Sequence, residues 1–346
     1  MTASNGTTNG TAKRVLKAGV WAPSPTFYDE NEELDLTTLA THVVSLAKAG
    51  VQPVICGSMG ESHHLTREER KAVIGAARKA LDDAGFTDAV LIAGTGGNST
   101  RATIALSQDA AEAGADIAIV IPPGYFSGAL GKEALKTFFA DVAAASPIPV
   151  MIYNYPGAAG TIDLDSDTII EIARESPNIC GVKLTCGAVG KLTRITGATA
   201  TPDFAAKYPR THADVAPEFI TLGGFADFLL PTVGAGRAHG AIMGLANVYP
   251  RGIARLFQLA DKIATDAQPS KADLTKALKL QDLAAGADQT LARGGIAATK
   301  WWLKKHNGYP SARVRRPLLD YTDAAGEKIE ADAIVAEFYE LEKSLA

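Results

Sequence analysis

Eight short apolar runs recur about every 30 residues along this 346-residue chain. They are GVWAP (19–23), QPVICG (52–57), AVLIAG (89–94), DIAIVIP (116–122), IPVMIYN (148–154), NICGVKL (178–184), EFITLG (218–223) and HGAIMG (239–244). Each has the length of a strand and is continuously apolar, as strands buried on both faces of a parallel sheet are. Segments of helical periodicity separate them. Two of these, 36–50 and 66–85, end in glycine, a preferred helix stop, and Thr66-x-x-Glu69 has the capping-box form. Eight strand–helix units predict an α/β fold, a closed (β/α)8 TIM barrel. Further helices are expected at 270–291, 294–307 and 328–345. The expected organisation is a disordered polar tail over 1–13, a barrel over 14–262 and a C-terminal helical extension over 263–346.

Charge and composition exclude several functions. Lys+Arg is 34 and Asp+Glu is 38, a net charge of −4, which argues against a broad nucleic-acid footprint. No apolar run reaches the ~18–20 residues that span a bilayer. The first 13 residues lack the apolar core of a secretory signal, so Asn5-Gly-Thr and Asn9-Gly-Thr match the glycosylation pattern idly. Arg14 stands almost alone, a weak basis for a mitochondrial leader. Three cysteines without C-x-x-C spacing point to a reducing compartment, and the expected location is cytoplasmic.

In such barrels the chemistry sits where strands end. Lys183 ends the apolar run CGVKL, where a lysine is out of place. It either snorkels from the strand end or serves as a nucleophile. Burial would lower its pKa and supply the neutral amine that attacks a carbonyl. Tyr153 ends the preceding run and would lie beside it, either as a proton shuttle or as a core tyrosine. Gly57-Ser58-Met59-Gly60-Glu61 follows the second run and is either a plain turn or one that aims backbone N–H groups at an anion. Gly94-Thr95-Gly96-Gly97 lacks the spacing of a nucleotide loop and reads as a structural turn. Adjacent His63 and His64 would face different ways, a poor metal pair, and Cys186 reads as a bystander thiol.

Taken together, GSMGESHHLTREER (57–70), AGTGGNST (93–100), PPGYF (122–126), YNYPG (153–157) and GVKLTCG (181–187) carry a resemblance. The chain resembles the pyruvate-dependent class I aldolase superfamily, which includes dihydrodipicolinate synthase and N-acetylneuraminate lyase. The likeness runs from about residue 17 to about residue 320, and the interval of 30 residues between Tyr153 and Lys183 fits it. It implies that Lys183 forms an imine with pyruvate or another 2-oxo acid, and that Tyr153 relays protons to that nitrogen and to the aldol hydroxyl. It implies that Ser58 is the relay hydroxyl and Tyr125 a second tyrosine reaching across from a neighbouring subunit. The loop Gly57, Ser58 and Met59 would hold the pyruvate carboxylate. It further implies an aldehyde as second substrate, no metal or organic cofactor, and a homotetramer built as a dimer of dimers.

Departures from the family pattern bear on the substrate. Ala158 stands where the lysine-pathway synthase carries an arginine for a second carboxylate, which argues against aspartate semialdehyde. Met59 replaces a second hydroxyl, and Phe225 falls where sugar-acid lyases often place a polar side chain. These positions suggest a less polar second-substrate pocket, unless Met59 and Phe225 only pack against the rim. The wording of YNYPGA and GVKLTCG, in contrast, resembles a fungal branch of aldolases for 2-keto-3-deoxy sugar acids and 4-hydroxy-2-oxoglutarate-like acids. The leading expectation is therefore an aldolase that makes or breaks a C–C bond between pyruvate and an aldehyde. The alternatives are a dehydratase or hydratase-aldolase on a less polar, even aryl, 2-oxo acid through the same imine, and a non-catalytic keto-acid-binding barrel.

Overall fold

The computed structural model describes residues 13–346. The expected tail and its two Asn-Gly-Thr sites lie outside the described residues, Lys13 apart. Each expected run holds one strand: β1 (Gly19–Pro23), β2 (Gln52–Ile55), β3 (Ile92–Gly94), β4 (Ile117–Val120), β5 (Val150–Asn154), β6 (Ile179–Leu184), β7 (Ile220–Gly223) and β8 (Gly240–Ile242). All neighbours are parallel, and β8 pairs with β1 to close the barrel. Alternate residues point to opposite faces. Ile119, Met151, Ile220 and Leu222 turn inward with Trp21, whereas Ala118, Val120, Ile152 and Val182 pack outward against the helices.

The local signals act where they stand. The helix Leu36–Lys48 stops before Gly50, whose φ of 81° suits glycine. The helix Arg67–Asp83 opens with both halves of the capping box, Thr66 with Glu69. The C-terminal helices differ in detail from expectation. Segments 270–291 and 294–307 form one long helix, Lys271–Asn307, broken only at Gly295, where φ is 55° and ψ −135°. The third expected helix is two, Asp323–Glu330 and Ala333–Ser344, because the Asp332 side chain caps the backbone of Ile334 and Val335.

The extension shares its core with the barrel. Phe338 packs on Tyr249 with ring centroids 4.6 Å apart, and Trp302 meets the same ring edge-on. The buried Glu342 carboxylate accepts the N–H groups of Arg251 and Gly252 at 3.0 and 2.7 Å. It thereby caps the helix Pro250–Thr265 from the far end of the chain. No helix among the described residues is long and apolar enough to cross a membrane.

Closure brings Gly240, at φ 137°, against the carbonyl of Gly19. A Cβ there would sit 1.7 Å from that oxygen. Gly240→Ala is expected to destabilise the fold by about 3 kcal/mol, read as a lowered urea midpoint. A midpoint equal to that of the wild type would mean that the seam tolerates a side chain.

Candidate active site

Strands β5 and β6 place Tyr153 directly opposite Lys183. Val182 and Leu184 face the outer helices, so the lysine between them turns into the barrel mouth. Lys183 is 4% exposed, and its Nζ lies 4.3 Å from the centre of the Tyr153 ring. No carboxylate among the described residues pairs with it. Burial alone pushes its pKa from 10.5 down to about 7, so a large share of the amine is neutral near pH 7. Tyr153 is itself buried and stacks on Tyr155 at 5.7 Å. Burial raises its pKa, while the neighbouring hydroxyls of Ser58 and Thr185 pull the other way. Thr185 Oγ1 is buried with no hydrogen-bond partner among the described residues.

The loop after β2 is held under strain. Cys56 and Glu61, at its two ends, both take left-handed backbone conformations, with φ of 55° and 51°. Gly94 lets this loop approach β3, since a Cβ there would fall 2.0 Å from the Cys56 carbonyl oxygen. The glycine turn after β3 thus has the structural reason expected of it. The Thr26 hydroxyl donates to the Gly60 carbonyl at 2.7 Å. The N–H groups of Ser58 and Met59 make no protein hydrogen bond among the described residues, an arrangement suited to an anion.

Glu61 anchors the loop's far end. Its fully buried carboxylate pairs with Lys300 Nζ at 2.6 Å and accepts the Arg315 N–H at 2.8 Å. Lys300 also donates to the Arg313 carbonyl at 2.8 Å and sits over the Tyr28 ring. Burial pushes Lys300 down to about 8 against the opposing pull of Glu61. Sequence reasoning assigned Glu61 no role and missed Lys300, 239 residues away. The available signal was a lysine set beside Trp301-Trp302 on an apolar helical stretch.

Lys183, Tyr153, Ser58, Met59 and Phe225 line one cavity of about 220 Å³. Its opposite wall comes from the long helix Lys271–Asn307: Asp288, Leu291, Ile296 and Thr299. Nothing local in the chain marks these four as site residues. A second cavity of about 210 Å³ lies across Ser58, Tyr153 and Ile296, which border both. Gly57 and Ala158 belong to this second cavity and not to the one that holds Lys183. His63 and His64 line it too. Tyr125 lines neither. It is 86% exposed and packs edge-on against the exposed Phe126.

Residues 16–335 match the model of the dihydrodipicolinate synthetase family. The chain belongs to this family. It is 41% identical over 344 residues to an L-threo-3-deoxy-hexylosonate aldolase of Aspergillus niger, covering 95% of this chain and 97% of that one. It is 40% identical over 335 residues to an Emericella nidulans protein named "Probable 4-hydroxy-2-oxoglutarate aldolase, mitochondrial", covering 96% and 99%. Among solved structures, YagE of E. coli K12, a prophage protein of the family determined in complex with pyruvate, superposes with a TM-score of 0.76 at 27% identity, covering 96% and 99%.

The Glu61–Lys300 pair gives a prediction. Lys300→Met leaves a carboxylate buried without its cation, and is expected to cost about 3–5 kcal/mol in urea denaturation. The double change with Glu61→Gln is expected to recover part of that loss. Equal stability of Lys300→Met and wild type would show that the loop does not depend on the pair.

Proposed function

We propose that this protein is a pyruvate-dependent class I aldolase, making or breaking the bond between pyruvate and an aldehyde through an imine on Lys183. One observation carries the reading: an unpaired lysine amine, kept partly neutral by burial, in register with a tyrosine at the mouth of the barrel. The names of the two fungal relatives support it, since both describe aldolases.

The chemistry follows from the parts. Neutral Lys183 Nζ attacks the 2-oxo carbon, and loss of water leaves a protonated imine. For cleavage, the Tyr153 phenol takes the proton of the C4 hydroxyl as it hands its own proton to the Ser58 hydroxyl. The C3–C4 electron pair flows into the imine to give an enamine, and the aldehyde departs. Protonation at C3 and hydrolysis then release pyruvate and free lysine. The N–H groups of Ser58 and Met59 hold the carboxylate. The Ser58 hydroxyl passes protons between Tyr153 and Tyr125, the latter supplied across a subunit contact in a homotetramer. The exposure of Tyr125 in one subunit supports that assignment.

In the same reading the barrel spans 14–262 and the extension 263–346. The protein is placed in the cytoplasm, against the word "mitochondrial" in the names of two relatives, and cell fractionation separates the two locations. A dehydratase or hydratase-aldolase is the second reading, favoured by the apolar lining of Met59, Phe225, Leu291 and Ile296. Product analysis divides off the dehydratase, because only carbon–carbon cleavage yields free pyruvate and an aldehyde, and the aldehyde released, aryl or hydroxylated, divides off the hydratase-aldolase.

Borohydride reduction with pyruvate, followed by peptide mass, tests the imine. A pyruvate-sized adduct is expected on Lys183 and absent from Lys183→Ala. Below about pH 7 the amine is protonated and cannot attack, so the trapping rate is expected to rise with pH through about 7, not through the ordinary lysine value of 10.5. An adduct in Lys183→Ala would overturn the assignment. Tyr153→Phe is expected to keep the adduct but slow turnover by about 10²–10⁴-fold; wild-type turnover would remove Tyr153 from the mechanism.

A further inference from the structure

The cavity that holds Lys183 contains one carboxyl group among its lining residues, Asp288 of the long helix. Asp288 is 6% exposed and makes no ion pair with any described residue. A buried, unpaired carboxyl is costly, and such groups collect at functional sites. Its Oδ2 accepts the Ala226 N–H at 2.7 Å, next to Phe225. Holding this loop does not require an acid. Gln281, two helical turns earlier, already donates to the Ala226 carbonyl at 2.9 Å and accepts the Leu230 N–H at 2.7 Å. An amide at position 288 would still offer one acceptor to the Ala226 N–H, though a weaker one than a carboxylate.

The surroundings show what the acid can do. Met59, Phe225, Leu245, Leu291 and Ile296 give the cavity apolar surface, and its other polar groups besides Asp288 and Lys183 are the hydroxyls of Ser58, Thr185, Thr299 and the two tyrosines. A ligand that is apolar throughout would leave the carboxyl with only its backbone N–H donors as compensation for lost water. A ligand hydroxyl would supply a donor in a charge-assisted hydrogen bond, about twice as strong as a neutral one. Burial, with some repulsion from Asp227, raises the Asp288 pKa to about 6, while the Ala226 and Asp227 backbone N–H groups restrain it. The group is thus mainly ionised, and an acceptor, at pH 8.

We propose that Asp288 is a specificity residue that accepts a hydrogen bond from a hydroxyl on the aldehyde half of the substrate. The preferred aldehyde is therefore hydroxylated and not aryl or alkyl. This inference rests on the aldolase reading above, and it sets the acid on the long helix against the apolar residues that suggested a less polar substrate.

The test is condensation of pyruvate with glyceraldehyde or with propionaldehyde at pH 8, compared by kcat/KM for the aldehyde. The wild type is expected to favour glyceraldehyde, and Asp288→Asn to lower the glyceraldehyde-to-propionaldehyde ratio about tenfold, the worth of one hydrogen bond to a charged group. Asn keeps an acceptor for the Ala226 N–H, and Asp288→Ser is a second variant that is smaller but still polar. A ratio unchanged in both variants, with each aldehyde slowed alike, assigns Asp288 a structural role and overturns the proposal. So does a wild-type enzyme that does not favour glyceraldehyde, whatever the variants do. Borohydride trapping of pyruvate on wild-type Lys183 separates the two levels. No adduct overturns the aldolase reading and this inference with it, while an adduct without discrimination between aldehydes overturns this inference alone.

Discussion

Everything in this molecule depends on β8 bonding back to β1. A parallel sheet leaves unpaired N–H and C=O groups at each edge, and a ring has no edges. Closure sets the strand ends in a circle, so residues distant in sequence become neighbours across the mouth. Its tightest point is the contact of Gly240 with the Gly19 carbonyl, which no side chain could share. Once the ring is shut, Tyr153 and Lys183 are opposite partners on adjacent strands, and the loop after β2 leans over them.

The site is assembled at the expense of stability. The unfolded chain takes a proton on Lys183 at an ordinary lysine pKa, whereas the folded site holds that proton only below about pH 7. The folded state binds fewer protons between these limits, so stability rises with pH across that window. The cost of burying the amine is fully present below it and gone above it. Strain at Cys56 and Glu61 adds to the cost. The C-terminal extension opposes both. Lys300 and the Arg315 N–H hold Glu61, Glu342 caps the helix after β8, and Trp302 and Phe338 enlarge the core. The same extension forms a wall of the cavity and brings Asp288 to it.

The barrel was legible because its signals are local. Each strand run is short, apolar and bounded, and helix stops such as Gly50 and caps such as Thr66 act within a few residues of themselves. Lys183 and Tyr153 were legible because each breaks or ends an apolar run at a strand terminus. The break at Gly295 was nearly so, since the two expected helices meet beside it. The partition of 328–345 was not, because a cap by Asp332 competes with an otherwise continuous helical pattern.

The chain by itself determined the eight-unit barrel, the lysine at the end of the sixth strand and the tyrosine that meets it. Periodicity and strand order suffice for these, since adjacent parallel strands put their ends side by side. Only the tertiary structure decided the rest. It paired Glu61 with Lys300, ran two adjoining cavities together along Ser58, Tyr153 and Ile296, and set a carboxyl from the long helix in the wall of the one that holds Lys183. The physical reason is that desolvation and charge pairing depend on what surrounds a group in space. For Lys183, Lys300 and Asp288 those surroundings come from segments far away along the chain.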